Sequence, residues 1–254
     1  YKSFFFLFGA LIGSFLNVLI LRMPKNENFV SKRSHCPKCN KLIYWYENIP
    51  ILSYVFLRGK CSGCGTGISI QYPLVELCTG IFAVLLSPSY LNIETAANFA
   101  FYFSIAAAFL VHFMIDVKHK ILPDGINIYL ALLFLSFSIL TKPVGFWLLG
   151  GAIGFLFPLG ITYIFYLLKN QVGLGGGDIK LYGALGLYLG PIGVLHNVFL
   201  SCILGSLISL PLILAKVIDR KTPVPFGPFI IIAATIQIYF PGIYDQIIQY
   251  ISIN

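Results

Sequence analysis

Long apolar runs separated by short polar or basic interruptions dominate this chain, and runs of such length read as membrane helices. A helix needs about 20 apolar residues to cross a hydrocarbon core. Stretches that meet or approach that length lie at 3–22, 73–89, 95–117, 122–141, 144–168, 179–194, 196–216 and 227–249. The pattern predicts an all-α polytopic membrane protein with about eight transmembrane helices. The first run stands where a signal peptide would, but Arg22 and Lys25 follow its apolar core and no positive run precedes it, so it reads as a retained helix. The chain opens on Tyr1 rather than methionine, which implies residues ahead of it.

Composition removes the soluble alternative. The chain is 58% hydrophobic and 10% charged, with a mean hydropathy of +0.87, which a soluble domain carries only with large exposed apolar patches. Charge then sets the orientation, because Lys- and Arg-rich loops stay cytoplasmic. With an external N-terminus, the loops at 22–72, 118–121, 169–178 and 217–226 fall on one side. Arg22, Lys25, Lys32, Lys38, Arg58, Lys60, Lys118, Lys120, Lys169, Arg220 and Lys221 lie there, against Lys2 and Lys142 on the other. The net charge of +8 is therefore mostly topological, and no nucleic-acid partner is needed to explain it. The expected organisation is a first helix at 1–22, a cytoplasmic loop domain at 23–72 and a membrane domain at 73–254.

The loop domain carries Cys36-Pro37-Lys38-Cys39 and Cys61-Ser62-Gly63-Cys64, a C-x2-C-x21-C-x2-C pattern. Four thiolates so paired close a tetrahedral shell around Zn²⁺ and leave no open position for water, so the expected metal is structural. Redox pairs or a disulfide clip are the alternatives, but structural disulfides are rare in a reducing cytoplasm. A loop this short also needs a staple to fold. Cys78 and Cys202 sit in apolar runs and read as packing residues.

The remaining chemistry is carboxylic. Asp116 and Asp124 lie in "MIDVKHKILPD" and Asp178 in "GLGGGDIK", each where an apolar run meets positive charge. Acidic residues at a bilayer are costly and are functional candidates by default. Asp116 closes one run and Asp178 opens another on the same side, so the two spans can pack side by side. Two carboxyls sharing a proton in a desolvated pocket supply a general base for water and an acid for a carbonyl, the aspartic protease arrangement. Gly173, Gly175, Gly176 and Gly177 would let a substrate backbone approach. Each acid also has a plain structural reading. Asp124 and Asp178 suit helix N-caps, and Lys118, His119 or Lys120 could pair with Asp116. A transporter would place acids in broken helices too, though near the membrane midplane.

Seven stretches in order carry a resemblance over almost the whole chain: "GSFLNVLILRMP", the two CxxC pairs, "ENIPILSYVFLRGKC", "ISIQYPLVELCTG", "IDVKHKILPD", "GLGGGDIKL" and "TPVPFGPF". The chain resembles the bacterial type IV prepilin peptidases, GxGD-type aspartic proteases often bifunctional with an N-methyltransferase. That resemblance implies Asp116 and Asp178 as the catalytic pair, with Asp124 and Lys180 as auxiliary residues. It also implies cleavage of a basic leader from prepilins or pseudopilins after a glycine, at the cytoplasmic face of the bacterial inner membrane. Methylation of the new N-terminus from S-adenosyl-L-methionine would follow. The chain has Gln71 where an arginine is more usual before Tyr72. No Rossmann-type glycine motif is present, so the cofactor site is open, with Glu76 its candidate and interfacial ion pairing the alternative. Asn17 reads as an interhelical hydrogen-bonding residue.

Overall fold

The computed structural model describes residues 1–28, 33–171, 173–217, 219 and 224–253. Lys32, Arg220, Lys221 and the first two residues of "TPVPFGPF" lie outside them. The described residues form α1 (Lys2–Arg22), α2 (Leu52–Phe56), α3 (Gln71–Leu85), α4 (Ile93–His119), α5 (Asp124–Thr141), α6 (Val144–Lys169), α7 (Gly176–Leu214), α8 (Gly227–Tyr239) and α9 (Pro241–Ile253). Short 3₁₀ turns at Met23–Lys25 and Trp45–Asn48 complete the helical content. Among the described residues there is no strand, only the isolated bridges His35–Leu42 and Lys60–Gly67. The all-α membrane architecture is as expected.

The number of crossings differs from the sequence expectation. Among the described residues, five helices are long and apolar enough to span, or six if α8 and α9 count as one. The eightfold count is not confirmed among the described residues, for local reasons. α3 has 15 residues, about 22 Å at 1.5 Å per residue against a core of about 30 Å. The run at 227–249 is bent by 109° where α8 meets α9, because Pro241 cannot donate its backbone nitrogen to a continuing helix. The split read between 179–194 and 196–216 has a counterpart within α7, whose helical path breaks at Gly190 with φ 73°, ahead of the boundary read from sequence. Glycine alone adopts that conformation without cost, and Pro191 behind it disfavours a helical predecessor.

The chain divides into two compact units, Tyr1–Val111 and His112–Asn254. In lipid, helices associate through close backbone packing at small residues rather than by burying apolar surface. In the first unit, α1 presents Gly9 and Gly13 to α3. A Cβ at Gly9 would stand 2.7 Å from Ala83 Cβ and 2.9 Å from Gly80 Cα, and one at Gly13 would stand 2.8 Å from Glu76 Cα. Phe5, Ala83 and Phe103 form the core beside this crossing. In the second unit, α6 and α7 meet through Gly150, Gly154, Gly186 and Gly190, and added Cβ atoms at Gly150 and Gly186 would fall on each other's carbonyl oxygens. Gly186→Ala should therefore lower stability by about 1–3 kcal/mol, since backbone cannot yield as a side-chain tip can. Gly160→Ala on the same α6, where nothing lies within 4 Å, should instead gain up to about 1 kcal/mol of helix propensity. Thermal unfolding of the two variants in detergent checks both signs.

Candidate active site

Asp116 lies one turn before the end of α4 and is 4% exposed. Its Oδ2 accepts the backbone N–H of Gly227 at 2.9 Å. Gly227 is the first residue of α8, so the carboxyl sits at a helix N-terminus, where unpaired N–H groups and the helix dipole favour an anion. None of the nearby basic residues weighed from the sequence is needed to account for this placement. A Cβ on residue 227 would stand 2.7 Å from Asp116 Oδ2, so glycine is required for the approach.

Asp178 occupies the third position of α7, behind the N-cap Gly175. It is therefore not the N-cap that its place after a glycine run suggested. Its carboxyl interacts with the Gly175 backbone and lies within electrostatic reach of Asp116. Its Oδ1 is buried and has no hydrogen-bond partner. Two contacts bring the head of α7 to the segment between α4 and α5. A Cβ on Gly177 would stand 2.8 Å from Leu122 Cβ and 2.9 Å from Leu122 O. Asn127 Nδ2 donates to Gly177 O at 3.1 Å. The glycines thus differ in role: Gly177 permits a close helix contact and Gly175 leaves room for Asp178 Oδ2. Gly173 stands against Phe165, and Gly176 has nothing within 4 Å.

Asp124 opens α5 without making a side-chain cap. Its Oδ1 instead accepts Lys180 Nζ at 2.7 Å, in a pair exposed by 60% and 49% at the two side chains. The capping reading of Asp124 is replaced by an ion pair across the mouth of the same helix junction. The pair is too exposed to add much stability. Gly227, Leu122 and Asn127 were not foreseen as site residues. Gly227 lies in the "PFGPF" stretch, whose resemblance to the family was the one signal that could have marked it.

In the first unit, Cys36, Cys39, Cys61 and Cys64 place their sulfurs within 4.8 Å of one another. The Cys36–Cys64 and Cys39–Cys61 separations are 3.8 and 3.9 Å. A tetrahedral site with metal–sulfur bonds of about 2.3 Å has edges of about 3.8 Å, so the set fits Zn²⁺. The two knuckles repeat one backbone design. Cys36 N donates to Lys41 O at 2.9 Å and Cys61 N to Thr66 O at 2.8 Å, while Asn40 and Gly65 close the turns with φ of 57° and 70°. Lys41 Nζ bridges Glu47 Oε1 at 2.9 Å and Ser62 Oγ at 2.6 Å, tying the knuckles together. The hydrogen bond from Ser62, then that from Lys41, holds the Glu47 carboxyl down to about 2. Cys64 Sγ lies 3.3 Å from Thr66 Oγ1. The hydrogen bonds with the Thr66 side chain and backbone bring Cys64 down to about 6, toward the thiolate that a metal takes. Glu76, 6% exposed, accepts the backbone N–H of Ile51 on Oε2 at 2.7 Å. Asn17 Nδ2 donates to Tyr72 O at 3.1 Å, the interhelical role expected of it.

Two buried or partly buried carboxyls at helix N-termini lie within electrostatic reach of each other among long apolar helices, and comparison with known proteins identifies the family. The model of the Type IV leader peptidase family matches residues 103–210, and that of the bacterial peptidase A24 N-terminal domain matches residues 7–105. Proteins named prepilin leader peptidase/N-methyltransferase are similar throughout. The one from Xanthomonas campestris pv. campestris is 35% identical over 91% of this chain and 88% of its own length. The Aeromonas salmonicida protein is 34% identical over 94% and 90%, and that of Bacillus subtilis 35% over 98% and 96%. No solved structure matches the chain. The chain belongs to the Type IV leader peptidase family, a family of aspartic proteases.

Proposed function

We propose that this chain is a membrane aspartic endopeptidase that removes the leader of type IV prepilins or pseudopilins after a glycine, at the cytoplasmic face of the bacterial inner membrane, and then methylates the new N-terminus. The observation that carries the peptidase reading is the meeting of Asp116 and Asp178 at the heads of α8 and α7. One carboxylate removes a proton from water as its oxygen bonds to the scissile carbonyl carbon. The other carboxyl gives its proton to the carbonyl oxygen. The tetrahedral diol then collapses, its C–N bond breaking as a proton reaches the leaving amine. The Gly227 N–H orients one carboxyl, and Asn127 and Leu122 hold the head of α7 at the other.

Location supports this substrate class. A prepilin has an apolar helix in the bilayer and a basic leader outside it, so its junction lies at the membrane edge. Asp116 stands one turn from the end of α4 and Asp178 in the first turn of α7. A transporter would favour acids near the midplane. With α3 counted as a crossing, as the eight-run pattern has it, the Lys- and Arg-rich loops fall on the side of both acids and support the cytoplasmic assignment.

The methyl-transfer half rests on the names of the relatives. S-adenosyl-L-methionine, when bound, supplies an electrophilic methyl group to the freed amine. Glu76, its candidate residue from sequence, is buried and accepts the Ile51 N–H on Oε2. The four cysteines would hold Zn²⁺ as a structural ion in the loop. Intact mass of a prepilin incubated with the purified protein and S-adenosyl-L-methionine tests both halves. The expected product has lost the leader and gained one methyl group. Cleavage without methylation would remove the second activity, and an unchanged substrate would remove the first.

A further inference from the structure

We propose that the segment from Trp45 to Phe56, between the two zinc knuckles, is a membrane anchor that lies in the headgroup and upper acyl region of the leaflet into which α1 delivers Arg22. Helix geometry sets the depth. Asn17 binds the carbonyl of Tyr72, so α3 begins level with Asn17, five residues before Arg22. Glu76 stands beside Gly13, and its carboxyl meets Ser14. Eight residues separate Ser14 from Arg22 in sequence position, about 12 Å along a helix. The backbone N–H of Ile51 lies 2.7 Å from Glu76 Oε2. The loop therefore leaves α1 at Arg22 and returns alongside α3 to a level roughly 10 Å below that point.

The backbone there is forced into place. Ile51 has φ 62° and ψ −50°, a conformation a β-branched residue avoids unless its surroundings impose it. The hydrogen bond to buried Glu76 is that imposition. On either side of this pinned point the chain turns large apolar groups outward: Trp45 is 80% exposed, Val55 64% and Phe56 81%, with Tyr46, Ile49 and Leu52 also exposed. At such a depth beside α1 and α3, the medium around these side chains is lipid. Aromatic rings at the headgroup boundary, followed by Arg58 and Lys60, match the composition of interfacial segments. Glu76 thereby gains a role, which is to dock the anchor and keep the zinc knuckles at the bilayer surface.

Tryptophan fluorescence in the full chain tests the depth. The sequence has two tryptophans, so Trp147→Phe leaves Trp45 as the probe, and Trp45→Phe, Trp147→Phe, Leu52→Trp moves it next to Ile51. Each protein is reconstituted in phosphatidylcholine and phosphatidylglycerol vesicles carrying brominated lipid, with prepilin cleavage as the check on folding. Both probes should lose at least about half their emission to bromines high on the acyl chain and less to bromines near the chain end. Iodide in the aqueous phase should quench them weakly. Free quenching by iodide with no effect of brominated lipid overturns the proposal. Shielding from iodide that develops only when prepilin is added also overturns it, in favour of a substrate-binding surface.

Discussion

Asp178→Asn is expected to abolish leader cleavage, lowering kcat/KM by about 10⁴-fold or more, while the protein remains folded and zinc-loaded. The amide has the shape of the carboxyl, so the head of α7 keeps its contacts through Gly177 with Leu122 and Asn127. It cannot take a proton from water or exchange one with Asp116. Asp116→Asn should be as severe in rate, because neither carboxyl works alone. It should also disturb the site, since the amide must still accept the Gly227 N–H through its oxygen. The Asp124–Lys180 pair is a useful contrast. It is exposed, so Asp124→Asn should cost far less. Leader loss followed by mass, with thermal unfolding as the folding control, decides these cases. Cleavage by Asp178→Asn at a rate close to the parent would end the dyad assignment.

Removing the metal should unfold the loop and spare the peptidase. Between 33 and 67 the buried hydrophobic set contains only Cys36, so the described loop has no apolar core of its own. What orders it is the cysteine cluster, the repeated knuckle turns and the Lys41–Glu47–Ser62 clamp. Structural zinc contributes on the order of 10–16 kcal/mol in comparable small sites at neutral pH. A charged side-chain clamp in water supplies far less. Chelation, or Cys36→Ser, should therefore erase hydrogen-exchange protection at the N–H groups of Cys36, Asn40, Cys61 and Gly65. Acidification should do the same as protons compete with metal for sulfur. Asp116 and Asp178 belong to the other compact unit, so cleavage should fall by only a few-fold, whereas methylation should suffer more. Equal loss of both activities would mean that the loop also holds the substrate.

Local patterns were legible without coordinates. The apolar runs define a membrane protein because lipid admits helices whose backbones satisfy themselves. The CxxC pairs define a metal site because each ligand pair is set within one turn of chain. The motif acids were legible as chemistry, for a carboxyl at a membrane edge has to be explained. What pattern could not supply was distance across the fold. Sixty-one residues separate Asp116 from Asp178, and only packing brings them into reach and adds Gly227 from a third helix. Hydropathy counts apolar length but is blind to direction. It therefore set the break in α7 after residue 194 rather than at Gly190, and missed the bend before Pro241 within continuous apolar sequence. Asp124 looked like a helix cap because capping is local, yet its partner is Lys180, more than fifty residues away. Sequence by itself determined the class of protein and singled out the four cysteines that cluster in the fold and the acids at the helix ends. The tertiary structure alone decided which acid faces which helix end, where the long apolar helices break or bend, and why Glu76 is buried, because each of these depends on how the backbone turns and which groups meet when the helices pack.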